Sequence, residues 1–135
     1  MDEKDYKMLE LLRKNSRTTN NAIAKEVNLT EGAVRNRIAR LTKGGIIRKF
    51  TIETGPELVE AIVLVKTRTK GSKETLRRIK KHADRLFETA GDYDAAVLLS
   101  AGSIESINMT VDKLRSVEGV ISTLTLLKIA DAESS

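Results

Sequence analysis

Between Thr18 and Lys43 the chain collects side chains suited to gripping a polyanion. Thr18, Thr19 and Asn20 open one short segment, and Thr30, Glu31, Gly32, Arg35, Asn36, Arg37, Arg40 and Lys43 are spread along the next. Arginine forks onto guanine, asparagine pairs with adenine, and small residues let a helix sit deep in a groove. Hydroxyls and amides at a helix start, beside its free N–H groups, suit phosphate. Arg35 and Asn36 are the expected base contacts, and Thr18, Thr19 and Asn20 the expected phosphate contacts. Arg37 either braces the turn or holds a phosphate. The plainer reading of each charged residue is an ordinary solvated helix face.

Charge placement bears on that choice. Residues 1–54 carry 12 Lys and Arg against 7 Asp and Glu, whereas residues 55–135 balance at 12 and 12. Within residues 13–49 the count is 10 basic to 2 acidic. Such an island raises the local concentration of polyanions and speeds encounter with them. RNA is the competing polyanion, but single-strand readers stack bases on exposed aromatics. This chain has two Tyr and two Phe, and Tyr6 and Phe50 fall at positions expected to be buried. Double-stranded DNA is therefore the expected partner.

Other chemistries lack parts. There is no cysteine, which excludes disulfides, thiolate nucleophiles and Cys-based zinc sites. The single histidine, His82, lies in the basic stretch LRRIKKHADRL with no metal or base partner near it in sequence. No catalytic residue, metal or cofactor is expected, and the chain does not read as an enzyme. It also lacks glutamine and is 32% charged, a composition shared with thermophilic proteins. No run approaches the roughly 18 apolar residues of a membrane span, and the start MDEKDYKML has no apolar signal core. A cytoplasmic protein without membrane partners is expected.

The elements that must position these residues follow from periodicity. A first helix is predicted over 2–15, with Tyr6, Leu9 and Leu12 as its apolar stripe and Met8 and Leu11 beside them. Asp2, Glu3 and Asp5 near its start and Arg13 and Lys14 near its end suit the helix dipole. Thr18 or Thr19 caps a second helix whose stripe is Ala22, Ile23 and Val27. Asn28-Leu29 makes a turn, and Thr30 caps a third helix with Val34, Ile38 and Leu41 facing inward. Gly44-Gly45 ends it. This is a helix-turn-helix, whose last helix suits a DNA major groove. Ile46, Ile47, Phe50 and Ile52 then alternate like a wing or exit strand, with Arg48 and Lys49 available to phosphates.

After a linker at Thr54-Gly55-Pro56, holding the only proline, the period changes. A strand is predicted near 58–68 and a helix near 73–85 with Leu76, Ile79, Ala83 and Leu86 as its stripe. Two strands surround GDYD, residues 91–94. A second helix has Ile104, Ile107, Val111 and Leu114 at its core, Gly119 stops it, and VISTLTLLKIA is the final strand. The order βαββαβ implies a four-stranded antiparallel sheet with both helices on one face, the ferredoxin-like arrangement. The uncovered face is rich in Val, Ile and Leu and calls for a second copy, so a homodimer is expected. The expected organisation is α+β: a winged helix-turn-helix over 1–53 and a ferredoxin-like domain over 54–135. GDYD reads either as a hairpin turn with Gly91 at positive φ or as a loop holding both ends of a zwitterion.

The start D-x-x-D-x-x-M-L (Asp2, Asp5, Met8, Leu9), the run NSRTTNNAIAKEVNLTEGAVRNRIARLTKGGIIRKFT and the βαββαβ half with GDYD resemble the Lrp/AsnC, or feast/famine, transcription regulators, here of archaeal kind. The resemblance covers nearly the whole chain. It implies dimers that assemble further, to tetramers or octamers, and a free amino acid effector bound where regulatory domains meet. The family's effector region maps onto Gly91, Asp92, Tyr93 and Asp94, joined by Ser122, Thr123 and Thr125 from a neighbouring subunit. Asp92 and Asp94 leave room for a basic effector such as lysine. Ala95 and Ala96 stand where the family often has larger residues, which either widens a pocket or goes with weak or absent effector binding. The expected function is a sequence-specific DNA-binding regulator whose oligomeric state or DNA affinity responds to an amino acid. The alternative is an architectural protein that wraps DNA with little sequence preference and no effector.

Overall fold

Asp2 starts the first helix in the structure, a computed structural model that describes residues 1–55, 57–69 and 72–132. Its carboxylate accepts from Asp5 N at 2.9 Å while the Asp5 carboxylate accepts from Asp2 N at 3.2 Å, a reciprocal capping box. Helix α1 spans Glu3–Lys14, α2 Asn20–Val27 and α3 Glu31–Lys43. Of the two candidate caps of α2, Thr19 makes the bond, its Oγ1 accepting from Ala22 N. Thr18 instead donates its hydroxyl to Asn15 O. Between α2 and α3 Asn28 takes the left-handed conformation at φ 59°, which asparagine tolerates, and Leu29 is half-buried behind it. Gly45, at φ 80°, turns the chain out of α3.

The core of this unit, Met1–Glu53, is Met8, Leu12, Ile23, Ala24, Val27, Val34, Leu41 and Ile47. Two predicted stripes each misplace one residue. Ala22 is exposed and Ala24 buried, because the face of α2 that meets α1 and α3 runs through Ala24 and Val27. On α1 the buried positions are Asp5, Met8 and Leu12, and Tyr6 points outward. Phe50 is exposed as well, so neither of these two aromatic side chains is hidden. The segment after α3 is not a strand. Ile47 enters the core and Ser16 Oγ donates to Thr51 O, but Ile46, Phe50 and Ile52 are exposed and find no ladder partner within the unit.

The second unit, Thr54–Ser135, orders its elements as β1 (Val59–Thr67), α4 (Lys73–Lys80), β2 (Arg85–Glu88), β3 (Ala95–Ala101), α5 (Ile104–Arg115) and β4 (Val120–Leu127). All pairings are antiparallel and the sheet order is β2-β3-β1-β4. The chain is thus α+β, with a ferredoxin-like half. Pro56, expected in the linker, lies outside the described residues. Ala61, Val63 and Val65 of β1 and Ala95, Val97 and Leu99 of β3 turn one way and pack on Leu76, Ile79, Ile107, Val111, Leu114 and Val117. Both helices therefore cover the same face.

Helix α4 ends at Lys80, five residues short of expectation. Asp84 stops it: Asp84 N donates to Leu98 O, and the Asp84 carboxylate accepts from Ser100 N at 2.7 Å and Ser100 Oγ at 2.8 Å. Leu86 consequently reaches the core from β2 instead of from the helix. Ile104, in the first turn of α5, is exposed, and the helix packs through Ile107, Val111 and Leu114.

Among the described residues, no helix of this unit lies over the opposite face of the sheet. Register puts Leu98, Ile62 and Leu126 in one row across it and Phe87, Ala96, Leu64 and Leu124 in the next. Ile62, Phe87, Leu124 and Leu126 are each between 39% and 49% exposed, a contiguous apolar surface.

Candidate functional site

Helix α3 turns two different faces away from its core side. At about 100° per residue, Gly32, Asn36, Ala39 and Lys43 share the middle of the outward face, with Arg35 on one flank and Arg40 on the other. Asn36, Ala39 and Lys43 are exposed. Ala39 escaped the sequence reading, although its i+7 spacing from Gly32 marks it as a second small residue on that face. Thr30 caps the helix, its Oγ1 accepting from Ala33 N at 3.1 Å. A capping hydroxyl keeps its own proton, so Thr19 and Thr30 both retain a donor for phosphate. Asn20 opens α2 half-buried.

Arg37 lies a third of a turn away, toward α1. Its Nη1 is 2.7 Å from both carboxylate oxygens of Asp2 and 3.2 Å from Asp5 Oδ1. Arg40 Nη2 reaches Asp5 Oδ2 at 3.2 Å. Asp5 is 1% exposed, so a buried carboxylate joins the start of α1 to the middle of α3. The hydrogen bond from Arg37, helped by the Asp5 N–H, lowers the Asp2 carboxyl from 3.8 to about 2, and Asp2 in turn raises Arg37. Arg37 therefore braces α3 against the start of α1, whereas the sequence reading had it brace the turn or hold a phosphate. The sequence reading assigned Asp2 and Asp5 to the dipole alone and missed the brace. Its available signal was an acid, Asp5, in the i, i+3, i+7 register of Met8 and Leu12.

Arg35 is held differently. Its Nη1 lies 3.0 and 3.2 Å from the two Glu31 oxygens one turn earlier, and its Nη2 folds back toward Gly32.

In the second unit Gly91, at φ 123°, makes the turn expected of GDYD, and Asp92 is exposed. Asp94 is otherwise engaged. Its Oδ2 accepts from Thr67 N at 2.8 Å and Thr67 Oγ1 at 3.2 Å, while its N–H donates to Val65 O. It locks the hairpin onto the end of β1. Tyr93 carries the Lys66 ammonium 5.4 Å from its ring centroid. The three expected residues of β4 divide between faces: Ser122 pairs with Lys66 on the uncovered side, whereas Thr123 and Thr125 pair with Val65 and Val63 on the helix side. Thr123 Oγ1 accepts from Arg115 Nε at 3.1 Å. Within one chain β1 separates the loop from β4. Ala95 is fully buried under the helices and Ala96 faces the uncovered side, so only Ala96 widens space there. Lys66 and Arg115 were not anticipated, since only sheet register brings them beside these residues. His82 lines an open groove with Asp112, Lys113, Ser116 and Val117. The described residues contain no cluster of acids and histidine fit to hold a metal and no helix long and apolar enough to cross a membrane.

A capped helix-turn-helix with a basic, partly small-residue outer face, joined in one chain to an α/β sandwich, defines the DNA-binding transcription regulators with a separate second domain. Residues 1–48 match the family model described as winged helix-turn-helix DNA-binding. The HTH-type transcriptional regulator LysM of Sulfurisphaera tokodaii is 45% identical over 127 residues, covering 91% of each chain. The crystal structure of PH0061 superposes with a TM-score of 0.86 at 25% identity over 99% of this chain and 96% of that one. A feast or famine regulatory protein from M. tuberculosis, complexed with L-methionine, has the same fold, with a TM-score of 0.79 at 18% identity over 98% and 95% of the two chains. The chain belongs to the Lrp/AsnC family of transcriptional regulators. It is a DNA-binding regulator and not an enzyme.

Proposed function

We propose that two copies of this chain bind a specific duplex site, and that a free amino acid biases their assembly or DNA affinity. The outward face of α3 carries the first half of this reading. Arg35 and Asn36 contact bases with Gly32 admitting the helix, and Glu31 accompanies Arg35. Thr19, Asn20, Thr30, Arg40 and Lys43 bind phosphates, with Arg37 left in the brace and Thr18 engaged through both its hydroxyl and its N–H with Asn15 O. The exposure of Tyr6 and Phe50 removes one argument against RNA, and the preference for duplex DNA rests on the helix-turn-helix and the relatives.

The uncovered apolar sheet face supports pairing. Full burial of a Leu or Ile contributes about 1.5–3 kcal/mol, and Ile62, Leu124 and Leu126 are between 43% and 49% exposed, so covering each contributes roughly half of that. Two-fold pairing would set two α3 helices on half-sites about 10 base pairs apart. Selection from a random duplex pool should then return a motif with two related halves at that spacing. A pool recovered without sequence enrichment would favour the architectural alternative.

For the effector, Gly91, Asp92 and Tyr93 remain the loop candidates, and Asp94 shapes the loop from within. Ser122, Thr123 and Thr125 come from a neighbouring copy in this reading, and of the three only Ser122 faces the uncovered side through which copies would pair. A structure of the same fold holds L-methionine, which supports an amino acid as the ligand class. Asp92 is the carboxylate left for a ligand ammonium. A thermal-shift screen against the twenty amino acids tests this, because a ligand that binds only the folded state raises its stability. No shift with any of them would remove the effector from the proposal.

A further inference from the structure

Residues 13–49 hold ten basic side chains and only two acids, Glu26 and Glu31. Glu31 stands in the first turn of α3, where approaching phosphates would repel it. Both its oxygens converge on a single nitrogen, Nη1, of Arg35, at 3.0 and 3.2 Å. Nε and Nη2 of that guanidinium stay outside the pair, and Nη2 lies 3.6 Å from where a Cβ on residue 32 would stand. The Arg35 and Glu31 side chains are 64% and 36% exposed, and an exposed pair of this spacing adds little to stability. A carboxylate that weakens attraction to DNA in general, and gives the fold only a first-turn charge on the α3 dipole and an exposed pair, is explained further if it raises the difference between right and wrong sequences.

We propose that Glu31 is a specificity-determining residue that works as a unit with Arg35. It fixes Arg35 over the gap left by Gly32, so that Nε and Nη2 point their donors at the O6 and N7 acceptors of a guanine. Its own oxygens accept from the exocyclic amino group of the adjoining base, which cytosine and adenine present in the major groove and guanine and thymine do not. Against guanine or thymine, which offer acceptors or a methyl group there but no donor, or against phosphate, the carboxylate finds no partner. The inference rests on the reading of α3 as a sequence-specific helix and adds which base step it favours.

The test compares wild type, Glu31→Gln, Arg35→Ala and the double variant, all as full chains. Each is taken through selection from a random duplex pool, titrated on the wild-type motif and on random duplex at several salt concentrations, and melted. Expected for Glu31→Gln is tighter binding to random duplex and a ratio of motif to random affinity reduced roughly tenfold. The preference beside the guanine should relax, and wild-type selection shows whether cytosine or adenine stood there. In the Arg35→Ala background the Glu31→Gln change should cost less selectivity than it does in wild type, because only the contact to the adjoining base is then left to lose. If Glu31→Gln keeps the motif and the ratio while only its melting temperature falls, Glu31 serves the helix dipole and the inference is wrong. If wild type itself enriches no motif, the sequence-specific reading fails and this inference goes with it.

Discussion

Asp2, Asp5, Arg37 and Arg40 show how a residue's type understates its task. Two arginines of a basic unit would ordinarily be assigned to DNA, yet here Asp2 and the buried Asp5 hold Arg37, and Asp5 also touches Arg40. The Asp2 carboxyl titrates near 2 in the fold against 3.8 outside it, chiefly through Arg37. A carboxyl with a depressed folded pKa stabilises the fold above its unfolded value and loses that contribution as pH falls through the folded one. Asp2→Asn should therefore melt below wild type at pH 6, with the gap closing between about pH 4 and pH 2. The Asp2 side chain is 55% exposed, so added salt should narrow the gap at pH 6 as well. A gap independent of pH would mean that the Asp2 charge contributes nothing, through Arg37 or through the Asp5 N–H. Asp94 makes a similar point in the other unit. Asp94→Ala strands Thr67 N, so the sheet unit should lose about 1–3 kcal/mol in urea melts. An unperturbed melt would return Asp94 to the ligand candidates.

Elements were more legible than side-chain roles, and the exceptions have local causes. The change from helical period to alternation at residue 58, and back at 73, exposes βαββαβ because each core stripe repeats within its own segment. Where α4 ends was hidden, because its stop is Asp84 bonding Ser100, sixteen residues onward. The α1 stripe slipped because a buried acid occupies a position that a hydrophobicity pattern gives to Tyr6. The exit segment alternates like a strand but has no partner in its unit, and alternation by itself supplies no hydrogen bonds. In the site, the cap Thr30 and the outer face of α3 were readable from spacing, whereas the division of labour between Arg35 and Arg37 depends on Asp2, 35 positions from Arg37. Thr30→Ala should cost about 1 kcal/mol through the lost bond to Ala33 N, measured by urea unfolding. No loss would show that the helix start is held by packing instead of its cap.

At the scale of the whole molecule, the chain joins a basic helical unit to a neutral sheet unit. The sheet's uncovered surface, centred on Ile62 and Leu124, links assembly to DNA binding if a second copy covers it. Ile62→Glu should keep the circular dichroism of wild type, sediment as a monomer and bind its site more weakly, since one α3 then reaches only one half-site. An assembly unchanged by this substitution would place the pairing surface elsewhere. The most direct measurement is competition between the selected duplex and random duplex for wild type and Arg35→Ala at fixed salt. Wild type should prefer the selected duplex by roughly 10³-fold or more. Arg35→Ala should give up roughly 1–3 kcal/mol of that preference while its affinity for random duplex changes far less. Equal affinity of wild type for both duplexes, or an equal fall on both in Arg35→Ala, would contradict base reading by α3.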